Sequence, residues 1–427
     1  MTHIEQMIQD LCPNGVKWKT LGDLGVFENT GVDKKSRDDE QEVTLLNFMD
    51  VCRHKYIDAS VPTMVVTAPD RKIEQCNVLK DDIFITPSSE TIDEIGFAAV
   101  IMEDLPNVVY SYHIMRYRLN QPNTTTAKFI RYLFEAPVIR KQILKGAKGL
   151  TRFGLSKYQF ADIEIPLPPL EIQKKIVECL DKFSALAAEL QAELQAELQM
   201  RRKQYEYYRT QLLTPHSDCN SADKSDDAQW EWKTLGEIFE FRGGYTPSKN
   251  KPEFWEEGTI PWFRMEDIRE NGRILKDAIL HISPIAVKGK GLFEKDSFVL
   301  ATSATIGEHA LLAVDALTNQ RFTNLMVRKQ YKSLLYTKFI FYYMFKVDEF
   351  CKAHTNISGF ESVDMDALRK MPFPIPPLLE QKRIVSILDK FEALTTSLSD
   401  GIPAEQAAQQ KRYEYYRDKL LTFEKRP

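Results

Sequence analysis

The sequence has few of the features that mark exported, membrane-bound or metal-stapled proteins. Its six cysteines are scattered and form no Cys-x-x-Cys pair, which favours reduced thiols over a disulfide framework or a zinc site. No apolar run approaches the ~20 residues of a membrane span. The first residues, Met1-Thr2-His3-Ile4, have neither a basic region nor an apolar signal core. We therefore expect a cytoplasmic protein.

Catalytic motifs are also missing from the sequence. There is no Gly-x-x-x-x-Gly-Lys-Ser/Thr phosphate loop, no His-Glu-x-x-His pair and no Asn/Asp-Pro-Pro-aromatic sequence of the adenine-methyltransferase type. Glu380-Gln381-Lys382 matches only half of a nuclease site, and the seven histidines show no metal-ligand spacing. The sequence thus predicts a chain with no catalytic residues and no metal site of its own.

An excess of positive charge is absent as well. The chain has 57 Lys and Arg against 61 Asp and Glu, a formal net charge of −4, whereas a domain that binds DNA by itself is usually basic. One local excess exists between Lys128 and Lys157, where Glu135 is the single acidic residue among the bases. Any contact with nucleic acid must therefore be local.

The sequence does contain a long helical segment that occurs twice. The first copy runs from Pro166-Leu167-Pro168-Pro169-Leu170 to Tyr205-Glu206-Tyr207-Tyr208-Arg209. The second runs from Pro374-Ile375-Pro376-Pro377-Leu378 to Tyr413-Glu414-Tyr415-Tyr416-Arg417, and the two tyrosine segments are 208 positions apart. The chain is therefore an internal duplication.

Both copies have the physical features of a helix. The prolines cannot continue a preceding helix, and Glu171 or Glu380 places a carboxylate in the first turn, where the helix dipole favours it. Apolar residues then recur at intervals of three and four, which predicts one buried stripe on which a second helix can pack. The stripe consists of Ile172, Ile176, Leu180, Phe183, Leu186, Leu190, Leu194 and Leu198.

Each tyrosine segment carries three rings in four residues, and three such rings cannot all face one seam. Tyr207 and Tyr208 diverge from Tyr205 at helical angles, so at least one ring belongs to the core or seam and another is left for a partner protein. The candidate partner-binding residues are Tyr205, Tyr207, Tyr208, Tyr413, Tyr415 and Tyr416.

Paired Pro-x-Pro-Pro-Leu and Tyr-Glu-Tyr-Tyr-Arg segments, separated by variable stretches, resemble the DNA-specificity subunit of type I restriction–modification enzymes. The resemblance covers the whole chain. It implies an α/β (α+β) fold class: two target-recognition domains joined by two long conserved helical regions, packed as an antiparallel coiled coil with pseudo-twofold symmetry. The implied partners are double-stranded DNA, two methyltransferase (modification) subunits and, through them, restriction subunits. Those partners would bring S-adenosylmethionine, ATP and magnesium, and this chain is expected to bind no cofactor.

The pattern of elements divides the chain into five parts. These are residues 1–158 with the first recognition domain, the helical region 159–214, a polar linker at 215–229, the second recognition domain 230–363 and the helical region 364–427. In the first domain we predict strands at 43–48, 63–67, 82–86 and 114–119 and one helix over 127–144.

The two recognition domains share short sequence landmarks. Trp18-Lys19-Thr20-Leu21-Gly22 recurs as Trp232-Lys233-Thr234-Leu235-Gly236, directly after the linker, so the start of the chain reads as the continuation of its own C-terminus. Lys128-Phe129-Ile130 matches Lys338-Phe339-Ile340 and Arg118 matches Arg328 at an offset of 210; Asp81 and Ser88 match Asp296 and Ser303 at 215. We expect one fold with two different surfaces.

Candidate DNA contacts are side chains on polar or Gly-containing loops. Arg pairs with guanine and Asn or Gln with adenine through two hydrogen bonds, whereas Ser and Thr grip phosphates. In the first domain the candidates are Lys34, Lys35, Arg37, Ser88, Ser89, Tyr112, His113, Lys145, Lys148 and Arg152. In the second they are Arg242, Gly243, Gly244, Tyr245, Thr246, Lys249, Ser303, Thr305, Asn319, Gln320 and Arg321. Taken singly, the second domain's stretches also fit purely structural turns.

We interpret the chain as a non-catalytic subunit that reads a bipartite, asymmetric DNA target, with one domain per half-site. The main alternative is an interaction adaptor whose coiled coil joins two protein-binding domains. A self-contained restriction–modification enzyme is a second alternative, and the missing methylation motifs count against it.

A four-residue unit stands three times in the first helix, ending at Leu190, Leu194 and Leu198. Each unit adds about 6 Å of helix and roughly 40° beyond a full turn, while one base pair advances about 3.4 Å and turns about 35°. We therefore predict that the repeat is a spacer ruler. In the second helix the aligned segment Ser399-Asp400-Gly401-Ile402-Pro403 is predicted to break the helix.

Overall fold

The structure is a computed structural model that describes residues 3–38, 40–214, 230–356 and 361–426. It divides into two compact units: unit 1 contains Met1–Leu194 and Ile402–Pro427, and unit 2 contains Gln195–Gly401. Each unit therefore combines one variable domain with parts of both long helices. The predicted linker at 215–229 lies outside the described residues.

The elements of the first half alternate short strands and helices before one long helix. In chain order they are α1 (His3–Leu11), β1 (Lys17–Thr20), α2 (Leu21–Leu24), β2 (Gly25–Glu28), β3 (Gln41–Leu46), α3 (Phe48–Arg53), β4 (Tyr56–Ile57), β5 (Met64–Ala68), α4 (Asp70–Gln75), β6 (Asn77–Val78), β7 (Ile83–Ile85), β8 (Ser88–Ser89), β9 (Ala98–Ile101), β10 (Leu105–Tyr110), β11 (Met115–Leu119), α5 (Ala127–Leu133), α6 (Pro137–Gly146), β12 (Phe153–Gly154), α7 (Lys157–Ala161), β13 (Glu164–Leu167) and α8 (Leu170–Leu212).

The second half repeats this plan and also ends in a long helix. Its elements are β14 (Glu231–Thr234), α9 (Leu235–Ile238), β15 (Phe239–Gly243), β16 (Ile260–Phe263), α10 (Met265–Asn271), β17 (Ile274–Leu275), β18 (His281–Ile282), β19 (Phe298–Ala301), β20 (His309–Leu312), β21 (Leu317–Thr318), β22 (Phe322–Val327), α11 (Thr337–Ala353), β23 (Thr355–Asn356), β24 (Ser362–Val363), α12 (Met365–Lys370), β25 (Pro372–Ile375) and α13 (Leu378–Leu420).

Each unit is built on a five-stranded sheet with the same strand order and directions. The order is β2-β11-β7-β9-β4 in unit 1 and β15-β22-β19-β20-β17 in unit 2. In both sheets the first four strands are antiparallel and the last is parallel to its neighbour. The turns before β7 and β19 place Asp81 and Asp296 at the same φ of 66°. The predicted duplication of the fold is confirmed.

Both faces of each five-stranded sheet are covered, because alternate side chains of a strand point to opposite faces. Ile83 and Ile85 join a core with α5 and the long helices, whereas Phe84 between them packs under the smaller sheet β5-β3-β10-β6. In unit 2, Phe298 joins the core with α11 and the long helices, whereas Val299 packs under the smaller sheet β18-β16-β21.

A buried glutamine joins each long helix to the variable domain of its unit. Gln173 and Gln381, three residues after the first residues of α8 and α13, are completely buried. Gln173 Nε2 donates to the carbonyl oxygens of Thr124 and Pro168 at 3.0 and 2.8 Å. The Pro-Pro-Leu-x-x-Gln segment thus fixes the helix start against the chain that leads into α5 or α11.

The long helices pack against each other as an antiparallel pair. In unit 1 the ring of Phe183 stacks on Tyr416 at 5.4 Å, and in unit 2 Tyr208 stacks on Phe391 at 5.1 Å. Early residues of one helix therefore meet late residues of the other, as an antiparallel coiled coil requires. The predicted burial of Leu186 in the apolar stripe is wrong, because this side chain is 63% exposed. At that point of the helix Ala187 is turned further inward.

The predicted break in the second helix is also wrong. α13 runs without interruption from Leu378 to Leu420 and contains Pro403. Proline removes one backbone hydrogen bond and costs a helix about 3 kcal/mol. The break was predicted from local propensity, which tertiary packing can override, and here Ile402 is buried beside the proline.

The predicted continuity between the chain's start and its long helix is confirmed in unit 1. Val16 N–H donates to Glu424 O and Arg426 N–H to Val16 O, both at 2.9 Å, and β1 pairs with β13. In unit 2, β14 pairs with β25 in the same way, and Leu213, at the end of α8, joins the core.

Two finer predictions need correction. The helix predicted over 127–144 is two helices, α5 and α6, because Pro137 begins a new one. Arg118 does not correspond to Arg328: Arg118 lies opposite Val26 within the sheet, whereas Arg328 follows β22 and its N–H donates to Ile238 O. An offset read from matching residues alone misses that the segment between β22 and α11 is two residues longer than the segment between β11 and α5.

Candidate nucleic-acid interface

The same tight turn precedes β11 in unit 1 and β22 in unit 2. We call it the triplet turn; it consists of Ser111-Tyr112-His113 in unit 1 and Asn319-Gln320-Arg321 in unit 2. The first residue of each donates its N–H to the small sheet, Ser111 to Leu46 O at 2.9 Å and Asn319 to Phe263 O at 3.0 Å.

The first side chain of each triplet turn closes the turn. Ser111 Oγ accepts the N–H of His113 at 3.3 Å, and Asn319 Oδ1 accepts the N–H of Arg321 at 3.0 Å. The middle side chains, Tyr112 and Gln320, are exposed. The same backbone turn therefore presents Tyr and His in unit 1 and Gln and Arg in unit 2.

A glycine lets a neighbouring loop approach each triplet turn. A Cβ on Gly31 would lie 2.2 Å from the backbone nitrogen of Tyr112, and one on Gly244 would lie 2.2 Å from the carbonyl oxygen of Asn319. Only glycine fits such close backbone approaches. Gly244 was predicted as a site residue, and this packing is its role. Gly243 beside it is exposed, with nothing within 4 Å of its Cβ position.

In unit 1 several predicted residues gather around His113. Its ring lies 4.0 Å from that of Tyr112. Burial, followed by the positive charges of Arg152 and Lys34, lowers the pKa of His113 below its usual value, so the ring is neutral at neutral pH. Arg152 also reaches Ser88 Oγ at 3.4 Å. The result is a basic, hydrogen-bonding surface at the end of the sheet.

Other unit 1 candidates are placed less directly. Lys35 and Arg37 are exposed and form ion pairs with Asp33 and Glu40 at 3.0 and 3.6 Å. Ser89 is buried and its hydroxyl donates to Glu94, so it is occupied within the protein. Lys145 and Lys148 are exposed at the end of α6 and in the loop after it, and Lys148 pairs with Gly154 beside the Arg152 loop.

In unit 2 a cavity of about 700 Å³ lies beside the triplet turn. It is lined by Asn319, Gln320 and Arg321 and by two other predicted residues, Thr246 and Lys249. The remaining wall includes Trp255 and Trp262, whose rings meet edge to face at 5.0 Å, and Arg264. Thr246 Oγ1 donates to Gln320 Oε1. Aromatic faces beside amide and guanidinium groups suit contact with nucleotide bases.

The prediction that Arg242 contacts DNA does not fit its position. Its guanidinium donates to the carbonyl oxygens of Lys290, Gly291 and Leu292 at 2.7 to 3.2 Å and lies 4.0 Å above the ring of Phe293. Burial lowers the pKa of Arg242. Tyr245 OH donates to Ala286 O and accepts the N–H of Lys288. Both side chains hold the loop at 286–292 in place.

Ser303 and Thr305 lie on the turn after β19, at the sheet edge that carries the triplet turn: Ala301 pairs with Phe322, and Thr302 N–H donates to Arg321 O at 3.1 Å. Ser303 pairs with Ser362 as Ser88 pairs with Gly154 in unit 1, so the predicted match of Ser88 with Ser303 is confirmed. Neither residue lines the cavity beside the triplet turn.

The described ranges contain no group of three or more His, Cys, Asp or Glu side chains that could hold a metal ion. Among those same residues, no helix is both long and apolar enough to cross a membrane.

A family model for the type I restriction modification DNA specificity domain matches residues 13–200 and 228–406. The chain belongs to this specificity family. The type I restriction enzyme EcoprrI specificity subunit of Escherichia coli is 50% identical over 205 residues, which cover 46% of this chain and 51% of the relative. The EcoR124I/EcoR124II specificity subunit of the same species is 38% identical over 288 residues, 64% of this chain and 65% of the relative. The matches span about half to two thirds of these relatives.

Solved structures share the fold of this specificity-family chain. The HsdS subunit from Thermoanaerobacter tengcongensis aligns with a TM-score of 0.60 at 20% identity, covering 96% of this chain and 97% of the other. A chain from a study of the assembly and conformational transition of the type I R-M system aligns with a TM-score of 0.64 at 19% identity, covering 96% and 98%.

The six tyrosines of this specificity-family chain separate into three matched pairs. Tyr205 and Tyr413 pack against the cores of units 2 and 1, and burial raises the pKa of Tyr205 to about 12. Tyr208 and Tyr416 form the stacks on Phe391 and Phe183. Tyr207 and Tyr415 are each 61% exposed. The proposal of a partner contact therefore narrows to Tyr207 and Tyr415.

Part of the candidate interface was missed in the sequence. Trp255, Trp262 and Arg264 line the unit 2 cavity, and Lys288 and Lys290 are exposed on the loop that Arg242 holds. Two of the chain's five tryptophans lie within one stretch of eight residues, and this clustering was a signal for the cavity that could have been used. The lysines were not recognisable, because only the fold brings their loop to Arg242.

Proposed function

We propose that the chain is the non-catalytic DNA-reading subunit of a type I restriction–modification complex. The observation that carries the proposal is the triplet turn, which has the same hydrogen bonds in both units but different reading side chains. Tyr112 and His113 would read one half-site, and Gln320 and Arg321 the other. Gln matches adenine and Arg matches guanine through two hydrogen bonds each in the major groove.

The partners of the proposed complex are double-stranded DNA, two methyltransferase subunits and, through them, restriction subunits. Methylation of adenine would use S-adenosylmethionine on the methyltransferase subunits, and restriction would use ATP and magnesium on the others. The chain's own net charge of −4 supports this division, because partners would then supply phosphate contacts that it lacks. The complex would act in the cytoplasm.

A bipartite target follows from the duplication. Each unit carries one triplet turn, and the two turns differ in chemistry, so the target is expected to be asymmetric. The antiparallel helices would set the length of the unread spacer between the half-sites, as the four-residue repeat in α8 suggests.

Methylation mapping of the complex assembled with its methyltransferase subunits tests this function. Trp232–Val363 is replaced by the corresponding domain of a relative, and all methylated sites are sequenced. One half-site should change and the other should persist. Absence of sequence-selective, salt-sensitive DNA binding by the unaltered complex would instead support the alternative function, an interaction adaptor that joins two protein-binding domains. Methyl transfer by the isolated chain would support the self-contained enzyme.

A further inference from the structure

Unit 1 contains a cationic cavity that the triplet turn does not use. The cavity has a volume of about 540 Å³ and is bounded by α3, α5, α6, α13 and the start of β9. Its wall carries Arg53, Lys55, Arg131, Arg140 and Arg417 but a single acid, Glu135. Arg53 is exposed, so the cavity is reached from solvent at that residue.

The cations of the wall are held in place by a hydrogen-bond network. Lys55 Nζ donates to Ser184 Oγ at 2.9 Å and to Tyr413 OH at 3.3 Å. Tyr413 OH donates to Glu135 Oε2 at 3.0 Å. Burial, and then the positive charge of Arg131, lowers the pKa of Lys55. Arg417 is ion-paired with Asp418, outside the wall, at 2.7 Å. The wall is therefore a preorganised cluster in which Arg53, Lys55, Arg131 and Arg140 exceed the one carboxylate, Glu135.

Arg131 has bonding capacity that the protein does not use. The residue is 6% exposed. Its Nε donates to Ala98 O at 3.2 Å and its Nη2 to Glu135, but Nη1 is buried without a hydrogen-bond partner. A buried unpaired donor on a charged group is costly. An anion in the cavity would offset that cost.

The equivalent place in unit 2 has aromatic rings where unit 1 has charged side chains. Arg131 and Glu135 correspond to Phe341 and Phe345 at the offset of 210 that relates α5 to α11. Arg209, equivalent to Arg417, lies 4.0 Å above the ring of Phe345.

Lys55, just before β4, corresponds to Arg273, just before β17. Arg273 forms an ion pair with Asp348 at 3.2 Å. The open cationic cavity is thus a property of unit 1 and not a consequence of the fold.

The cavity and the triplet turn of unit 1 lie at the same edge of the five-stranded sheet. The triplet turn directly precedes β11, whose first residue, Met115, pairs with Ile85 at the end of β7. Ile85 in turn pairs with Ala98, which lines the cavity at the start of β9. Two strand spacings, about 10 Å, separate β11 from β9. That distance corresponds to roughly three base pairs along a duplex.

We propose that this cavity binds a backbone phosphate of the DNA, a few base pairs from the bases that unit 1 reads. The contact is independent of sequence and fixes the position of the duplex on unit 1, as phosphate contacts do. Arg53, Lys55 and the unpaired Nη1 of Arg131 supply the donors. The carboxylate of a partner protein is the less favoured ligand, because Tyr415, the exposed ring of α13, is about 200° around the helix from Tyr413.

The inference rests on the proposed function, and its test uses the complex assembled with methyltransferase subunits. A double variant, Arg53→Gln with Lys55→Gln, is compared with the unaltered complex and with Arg209→Gln, whose guanidinium is covered by a ring. Affinity for target DNA is measured from low to high salt. The double variant should bind roughly tenfold more weakly, with a salt slope smaller by about 1, and methylate the same sequence. Arg209→Gln should keep the slope.

Single methylphosphonate linkages, which are neutral, then locate the phosphate. One linkage about three base pairs from the half-site of unit 1 should weaken the unaltered complex but leave the double variant unaffected. Unchanged slopes together with equal methylphosphonate effects would overturn the proposal. Thermal stabilisation of the unaltered chain by inorganic phosphate without any change in DNA slope would show a site for free anions only, which also overturns it. Loss of selective binding by the unaltered complex would instead count against the proposed function.

Discussion

Gln381 accepts the backbone N–H of Tyr336 on its Oε1 at 2.8 Å. Its Nε2 donates to the carbonyl oxygens of Leu334 and Pro376 at 2.9 and 2.6 Å. Tyr336 is the N-cap residue of α11, so one side chain ties the first turn of α13 to the first turn of the principal helix of the variable domain. The repeated glutamine is therefore a structural link.

Replacing Gln381 by Leu should destabilise unit 2 by roughly 3 kcal/mol. Three backbone groups lose their partner, and each buried unpaired group costs about 1–3 kcal/mol. Chemical denaturation followed by circular dichroism measures the loss. Gln204→Leu, at an exposed position of α8, is the matched control. A change of less than 1 kcal/mol in Gln381→Leu would show that water replaces the side chain.

Tyr207→Ala and Tyr415→Ala should each weaken assembly with the methyltransferase subunit while lowering the melting temperature little. Both rings are exposed, so their removal uncovers no core. Analytical ultracentrifugation of the mixed subunits measures assembly.

Tyr205→Ala and Tyr413→Ala are the controls for those variants. These rings pack in the cores, so their truncation should lower the melting temperature by several degrees. Normal assembly by Tyr207→Ala and Tyr415→Ala would remove them from the partner surface.

The stability of unit 2 should fall as the pH drops below about 6.5. His309 is fully buried, with its Nδ1 2.7 Å from Asp348 Oδ2. Burial lowers the pKa of His309 below the usual 6.5. As the pH falls through 6.5, His309 therefore takes up a proton in the unfolded chain but not in the folded chain. This lowers the free energy of unfolding by up to about 1.4 kcal/mol per pH unit. Above that pH His309 is neutral in both the folded and the unfolded chain, so it no longer lowers the free energy of unfolding.

Melting temperatures at pH 5.5 and 7.5 measure this effect. His309→Gln keeps a donor for Asp348 but cannot titrate. The variant is expected to be less stable at pH 7.5 and to lose less on acidification than the unaltered chain. An equal loss in both proteins would assign the pH dependence to other groups.

The sequence predicted the elements whose causes are local or repeated. The Pro-Pro starts, the helical spacing from Ile172 to Leu198 and the matched tyrosines come from short-range patterns. The predicted helix break at Pro403 and the predicted burial of Leu186 were wrong because the packing of the two long helices, and not local sequence, decides both. The common origin of the two triplet turns was not predictable, since Ser111 and Asn319 close the turn with different side chains. The contacts of Arg242 were not predictable because its partners, the carbonyl oxygens at 290–292, are about 50 residues away.

Deleting Gln195–Leu198 should shorten the unread spacer by one base pair without altering either half-site. The segment lies within the continuous helix α8, and its removal takes away about 6 Å and roughly 40° beyond a full turn. The rotation matches one base pair, and the translational excess can be absorbed by bending the DNA. Methylation mapping of the deletion variant measures the spacer. An unchanged spacer with retained activity would show that the four-residue repeat is ordinary helix and does not set the spacer length.

Methylation mapping of the complex carrying Gln320→Ala and Arg321→Ala tests whether each triplet turn reads its own half-site. Specificity should relax at one or two base pairs of the second half-site, by about 1–3 kcal/mol for each lost pair of hydrogen bonds, with the first half-site intact. Tyr112→Ala with His113→Ala should give the reverse. Retention of both half-sites in the first variant, or relaxation of both together, would contradict the account.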